Sequence, residues 1–277
     1  MIRWAAPPRR PLRRQPATLV ALAWLALVVT AALAAPALAP QGPLAADAAR
    51  ALLPPGRGAP LGTDFIGRDI LARLVWGGRW TLQMSAVALA LAVGLGLPVG
   101  LSAGSLGGRV ETLLMRLVDA LLAFPTLLLA LTVVAVLGRG LGPVALAVGL
   151  ASAPPYARVA RSVTREVRRQ PYILAARAVG ASSWRIALRH ILPNAAPTLI
   201  AFAATQFGWV LLNGAALNFL GLGAPLGAPE WGAMLAEGRG YLRDAPWASF
   251  FPGLVLTLTV LSANLVSDGL QEASGQQ

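Results

Sequence analysis

The chain of 277 residues is 56% hydrophobic and 12% charged, with a mean hydropathy of +0.65, whereas soluble domains run to about 45–50% apolar and about 25% charged. So little charge cannot cover a water-facing surface, which excludes an ordinary soluble enzyme, a disordered regulator and a coiled coil and leaves the bilayer as solvent. All 23 basic residues are Arg against 11 acids, Cys is absent and His190 is the single histidine, which excludes disulfides, a His/Cys metal cage and the lysine of a Walker A loop.

Six charge-free windows of 18 residues or more, at 15–46, 80–108, 120–138, 140–157, 191–229 and 245–267, are each near the length of a membrane-spanning helix. They predict an all-α polytopic membrane protein of about six transmembrane helices. In chain order, an Arg-rich segment 1–16 precedes a first span at 17–39. Its small-residue end, Ala35-Pro36-Ala37-Leu38-Ala39, resembles a signal-peptide cleavage site. The 23-residue run Ala17–Ala39 exceeds a signal core of about 7–15 residues, so the helix is expected to be retained. Residues 40–79 form an external loop and interfacial segment, and 80–270 the main transmembrane domain.

In the second span, Ala88, Ala92, Gly96, Gly100 and Gly104 recur every four residues, a seam of small side chains for close helix packing in lipid. At the third, Arg116 and Asp119 are spaced to pair on one helix. The fourth window is interrupted by Pro143, Pro154 and Pro155 and is expected to extend to about Ser162.

The segment Tyr156–Ala196 holds eight arginines. Pro171 opens a short helix, Gly180 closes it, and Ser182 or Ser183 caps a second one running through Trp184 toward Pro193. In the fifth span Gln206 and Asn213 lie two turns apart on one face, and Asn264 sits in the sixth. Each is a candidate for lining a pathway or for bonding to a neighbouring helix. The loop 223–249 carries Glu230, Glu237, Arg239, Arg243 and Asp244. With the N-terminus inside, 15 arginines fall on the cytoplasmic side and 8 outside. That bias sets both termini, including the tail 271–277, in the cytoplasm. Arginines placed between apolar runs follow the membrane pattern rather than a nucleic-acid footprint.

Three groups of residues carry a resemblance. Leu174-Ala175-Ala176-Arg177-Ala178-Val179-Gly180, nine residues, then His190-Ile191-Leu192-Pro193 resembles the EAA loop of binding-protein-dependent ABC importer permeases. Leu174 stands where that pattern has Glu, and His190 where it has Ile. Leu61–Asp69 and Met115–Asp119 through Phe124-Pro125 resemble segments of the dipeptide/oligopeptide/nickel permease subfamily. So do Asn218–Gly223, Glu230–Leu235 and Ala245-Pro246-Trp247.

The resemblance covers about residues 60–270 and implies a type I ABC importer transmembrane fold in the inner membrane. The implied partners are a second permease chain, two ATPase subunits and an extracytoplasmic solute-binding protein. ATP and Mg would sit on the ATPases, with no cofactor, catalytic residue or metal on this chain. The coupling loop would be 164–193, with Ala175, Ala176, Gly180, Ser183, Trp184, Arg185, Leu192 and Pro193 meeting the ATPase.

Di- or oligopeptides are the favoured solutes, with nickel or another metal chelate as the alternative. A secondary transporter would couple through intramembrane acids and show internal repeats. Only Asp119 lies within a span and no duplication is visible. A membrane enzyme would need a nucleophile or paired acids at membrane depth, and none is present.

Overall fold

The computed structural model describes residues 15–225 and 227–274. The arginines at 3, 9, 10, 13 and 14 and the last three residues of the tail lie outside it. The described chain is a bundle of helices: α1 (Pro16–Leu33), α2 (Ala35–Leu38), α3 (Ile70–Leu106), α4 (Gly108–Leu122), α5 (Thr126–Leu137), α6 (Leu141–Arg168), α7 (Pro171–Ala178), α8 (Ser183–Ile186), α9 (Leu192–Phe219), α10 (Trp231–Gly238) and α11 (Trp247–Ser274). Among the described residues four helical stretches are long and apolar enough to cross a membrane: Pro16–Leu33, Ile70–Leu106, Ser183–Phe219 and Trp247–Ala273. A fifth candidate is the pair α4–α5, bent by 88°.

The expected fourth span, α6, has the length at 28 residues but not the apolarity, and its position explains why. It is wrapped by α3, α4, α5 and α9, with Val144, Ala147, Val148, Tyr156 and Ala160 buried. Hydropathy measures what a helix offers to lipid. A helix wrapped by others can carry Pro154 and Pro155, buried and half-buried, away from hydrocarbon, while the exposed Arg158 side chain is paired with Asp119.

The small-residue seam is the contact that holds α6 in place. Ala88, Ala92, Gly96, Gly100 and Gly104 all lie buried on α3. A Cβ on Gly96 would meet the Ala153 carbonyl at 2.7 Å, one on Gly100 the Ala157 carbonyl at 2.4 Å, and one on Gly104 the Thr164 side chain at 2.6 Å. From the other side, a Cβ on Gly149 would meet the Ala88 carbonyl at 2.8 Å. The two backbones therefore approach as closely as small residues allow, over four helical turns.

Other boundaries differ from the sequence expectation for physical reasons. The helix α3 starts at Ile70, well ahead of the charge-free window, because Asp69 caps it by accepting from the Ala72 N–H at 2.9 Å. The first span ends at Leu33 and continues, past Ala34, only as the four-residue α2. It packs on α3 and α11 through buried Ala21, Val28 and Ala32. The third window is split at Ala123–Pro125, because proline lacks an N–H to continue the ladder and pushes Phe124 out of helical conformation.

Asp119 is not paired with Arg116. Its carboxylate accepts from Arg158 on α6, a partner that no local spacing rule can see. Glu111 is paired likewise, with Arg161 and, at 3.0 Å, with Arg165.

Candidate functional site

The two ends of α3 carry the two regions where polar chemistry concentrates. At about 1.5 Å per residue, Arg73 and Leu101 stand roughly 40 Å apart along that helix.

At the far end from Arg73, α7 and α8 form the predicted hairpin. Pro171 occupies the first position of α7, where a missing N–H costs nothing. Gly180 terminates it with φ +81°. The Gly180 N–H donates to the Arg177 carbonyl at 2.9 Å and the Ala181 N–H to the Ala176 carbonyl at 3.1 Å, the paired bonds of a Schellman cap. Ser182, rather than Ser183, caps α8, its Oγ accepting from the Arg185 N–H at 3.3 Å.

The second helix does not stop at Pro193. It runs into α9 through one π-turn, Ala187–Ile191, closed by the Leu192 N–H donating to the Ala187 carbonyl. Pro193 has no N–H to give to the preceding turn, and the widened turn absorbs that loss. Asn194 then donates from Nδ2 to the His190 carbonyl at 2.6 Å.

One side of the hairpin is anchored. Ile173, Ile186, Ala187 and Ile191 are buried with Leu101 of α3, and Val167, Ala176 and Ala181 pack against them. The other side is open: Val179 is 84% exposed, Trp184 69% and Leu174 58%. Of the residues singled out from sequence, Ala175, Gly180, Ser183, Trp184, Arg185 and Pro193 are exposed, while Ala176 and Leu192 are half-buried. Most of them are thus accessible, as are Arg177 and Arg189 of the same segment.

The opposite end is a cap that sequence reasoning missed. Asp64 accepts at Oδ2 from Arg68 Nε (2.6 Å) and Arg73 Nη1 (2.7 Å). Glu237 of α10 accepts at Oε2 from Arg68 Nη2 (2.9 Å) and Arg73 Nη1 (2.7 Å). Both arginines also donate to the Gly227 carbonyl. Arg68 and Arg73 are only 3% and 1% exposed.

Beside them Glu230 caps α10, accepting from the Ala233 N–H at 2.9 Å and from the Thr81 hydroxyl at 3.0 Å. Burial pushes its carboxyl up to about 7, against the lowering effect of those donors. The signal for this cap was the segment Leu61–Asp69, but treating each arginine as a span boundary hid the pairing. Two of the eight arginines assigned outside are therefore internally neutralised.

The three polar candidates within the spans separate. Gln206 is buried and donates from Nε2 to the Ser152 carbonyl on α6 at 3.3 Å. Asn213 is half-buried and donates to the Trp209 carbonyl of its own helix at 2.8 Å. Asn264 is half-buried beside Gly208 of α9.

An all-α bundle with several apolar spans and a proline-and-glycine hairpin at one end is the architecture of a polytopic membrane protein. Residues 96–277 match the family described as binding-protein-dependent transport system inner membrane component, and the chain belongs to it. It is a permease subunit of an ABC importer.

A dipeptide transport system permease protein of Alkalihalophilus pseudofirmus is 42% identical over 212 residues, covering 76% of this chain and 70% of that one. A di/tripeptide transport system permease protein of Pseudomonas aeruginosa is 40% identical over 258 residues, 91% of this chain and 85% of the relative. A glutathione transport system permease protein of Pectobacterium atrosepticum is 41% identical over 213 residues, 77% and 71% of the two chains. The fold is that of a chain of the MetNI methionine ABC transporter solved in inward-facing conformations. The TM-score is 0.59 at 21% identity, over 72% of this chain and 95% of that one.

Proposed function

We propose that this permease carries di- or oligopeptides as one of two paired permease chains. In this reading an extracytoplasmic binding protein delivers the solute and two ATPase subunits drive the cycle by gripping the α7–α8 hairpin. The observation that carries it is the hairpin itself. Its inner side is locked to α3 by Ile173, Ile186 and Ile191, and its outer side leaves Leu174, Val179 and Trp184 uncovered. A lever that receives force needs both a rigid root and a free face. The peptide assignment is supported by the names of relatives more than 40% identical, dipeptide and glutathione permeases.

The same reading places the hairpin and both termini in the cytoplasm, the Arg68–Glu237 cap outside, and the first helix as a retained part of the bundle. ATP and Mg sit on the partner subunits. Ala175, Ala176, Gly180, Ser183, Trp184, Arg185, Leu192 and Pro193 form or support the docking surface, with Leu174 adding an apolar contact where relatives of the EAA pattern place a Glu. In the pathway, Asn213 and Asn264 retain polar surface for a solute, whereas Gln206 is engaged with α6.

The chain has no cysteine, so Ser183→Cys gives a unique probe. Co-expressed with its ATPases, it should cross-link to a cysteine in their docking groove and react with a membrane-impermeant thiol reagent only from the cytoplasmic side. Reaction from outside would overturn the topology, and no cross-link in an assembled complex would overturn the docking assignment. Uptake of labelled dipeptide against a labelled nickel chelate by the reconstituted complex decides the solute.

A further inference from the structure

We infer that α4 is an interfacial helix that binds anionic lipid headgroups through Arg109 and Arg116; this rests on the cytoplasmic placement of the hairpin end proposed above. The helix begins beside the Leu106 end of α3, and its apolar packing on α3 and α6 is an inner stripe where Met115 and Val118 are buried against Ala103 and Ala157. Its outer surface is uncovered: Leu113 is 71% exposed, Leu117 62% and Val110 44%.

It stands at 88° to α5, which packs along α6. A piece perpendicular to a helix that follows the bundle runs across the bundle, in the plane expected of an interface. The α5 helix has 12 residues, about 18 Å, too short to cross a core of about 30 Å alone.

Charge then selects the kind of lipid. The acids of α4 are occupied by α6, Glu111 by Arg161 and Arg165 and Asp119 by Arg158. Arg109 and Arg116 are exposed and make no ion pair among the described residues. Seven residues apart, they lie on one face, about 10 Å from each other along the axis. They flank the edge of the Val110–Leu113–Leu117 arc. Leucines dipping into acyl chains with guanidinium groups at their margin is the pattern of a helix lying in the headgroup layer. The anionic inner leaflet is where such cations gain most.

The test uses the full chain, in which only the two arginines are changed, so any contribution of the basic N-terminus cancels. Native mass spectrometry of the detergent-solubilised protein titrated with phosphatidylglycerol should show Arg109→Gln/Arg116→Gln binding about 30-fold more weakly, about fivefold per cation. Arg239→Gln/Arg243→Gln, in the loop on the cap side, should leave affinity unchanged. Separately, Leu117→Cys carrying an environment-sensitive fluorophore should be quenched by shallow nitroxide lipids in phosphatidylglycerol vesicles.

Equal affinity of the wild type for phosphatidylglycerol and phosphatidylcholine would overturn the inference. So would a probe at Leu117 that the paired permease chain shields from lipid in the assembled complex. Neither readout involves ATPase docking or uptake, so failure here leaves the importer mechanism standing, and failure of the mechanism leaves the lipid result intact.

Discussion

The cap around Asp64 and the hairpin around Gly180 use arginine in opposite ways. In the cap, Arg68 and Arg73 are buried and each is shared between two carboxylates and a carbonyl. In the hairpin, Arg177, Arg185 and Arg189 are exposed and make no ion pair among the described residues. The two regions also use the same backbone angle differently. Gly67 in the cap and Gly180 in the hairpin both have φ +81°. A Cβ on Gly67 would lie 1.8 Å from the Asp47 carbonyl oxygen, while one on Gly180 would meet nothing within 4 Å. The cap has paired its charges internally, with only Arg73 Nε among its arginine nitrogens left as a buried donor without a partner among the described residues, and has filled the space around Gly67. The hairpin leaves both charge and space open.

The largest expected effect tests the closed half of that contrast. Arg73→Met leaves Asp64 and Glu237 buried with one cation fewer, and removing one partner of a buried pair costs about 3–5 kcal/mol. Thermal melting in detergent should show the variant severely destabilised, with Arg185→Met on the hairpin within about 0.5 kcal/mol of wild type. Equal losses from the two variants would erase the distinction.

The second effect is pH-dependent. With its carboxyl raised from 4.5 to about 7 by burial, Glu230 holds a proton in the folded chain that the unfolded chain has already released. Folding is therefore favoured most at low pH, weakens as pH rises from about 4.5 to 7, and levels off above. At about 1.4 kcal/mol per pH unit the whole span amounts to about 3 kcal/mol. Glu230→Gln keeps a side-chain acceptor for the Ala233 N–H and should flatten that component of the melting profile. A Gln variant with an unchanged slope would show that the carboxyl is already ionised in the folded cap.

Third, Gly67→Ala and Gly180→Ala impose the same left-handed strain of about 1–2 kcal/mol. Only the first adds a backbone collision, so their destabilisation should differ by about 2 kcal/mol, within the usual cost of overpacking. Melting temperatures of the two variants measured side by side decide it. Equal shifts would mean that the cap has slack that the geometry denies it.

These regions were not equally legible in the sequence. The hairpin could be read because its signals are local: proline at a helix start, glycine at a helix end, serine at the next cap. The α3 seam could be read because a four-residue period survives burial, although its partner could not. The cap was invisible because Glu237 stands 169 and 164 residues from Arg68 and Arg73, and a rule that ends a span at each arginine assumes that the arginine meets water. Asp119 failed for the same reason, since helical spacing offers Arg116 while the fold offers Arg158. The enclosure of α6 also lies beyond hydropathy, which cannot tell a helix shielded from lipid by its neighbours from one that is not in the membrane.

The smallest expected effect on the fold is the one that matters most for function. Trp184 is 69% exposed and lies one turn past the Schellman cap, outside the buried group of Ile173, Ile186 and Ile191. Trp184→Ala should leave the melting temperature within the spread of surface substitutions, about 0.5 kcal/mol. An exposed aromatic on a rigid root is nevertheless the kind of side chain that dominates an interface, where its truncation costs about 2 kcal/mol or more. Recovery of ATPase subunits with the affinity-purified permease should therefore fall steeply while the yield of folded permease stays constant. Ile186→Ala supplies the opposite pattern: it hollows out the anchored side, lowers the melting temperature, and reduces assembly only as a consequence. If Trp184→Ala assembles and transports like wild type, the open side of the hairpin is not where force enters. If it melts like Ile186→Ala, the division between a fixed root and a free face is itself wrong.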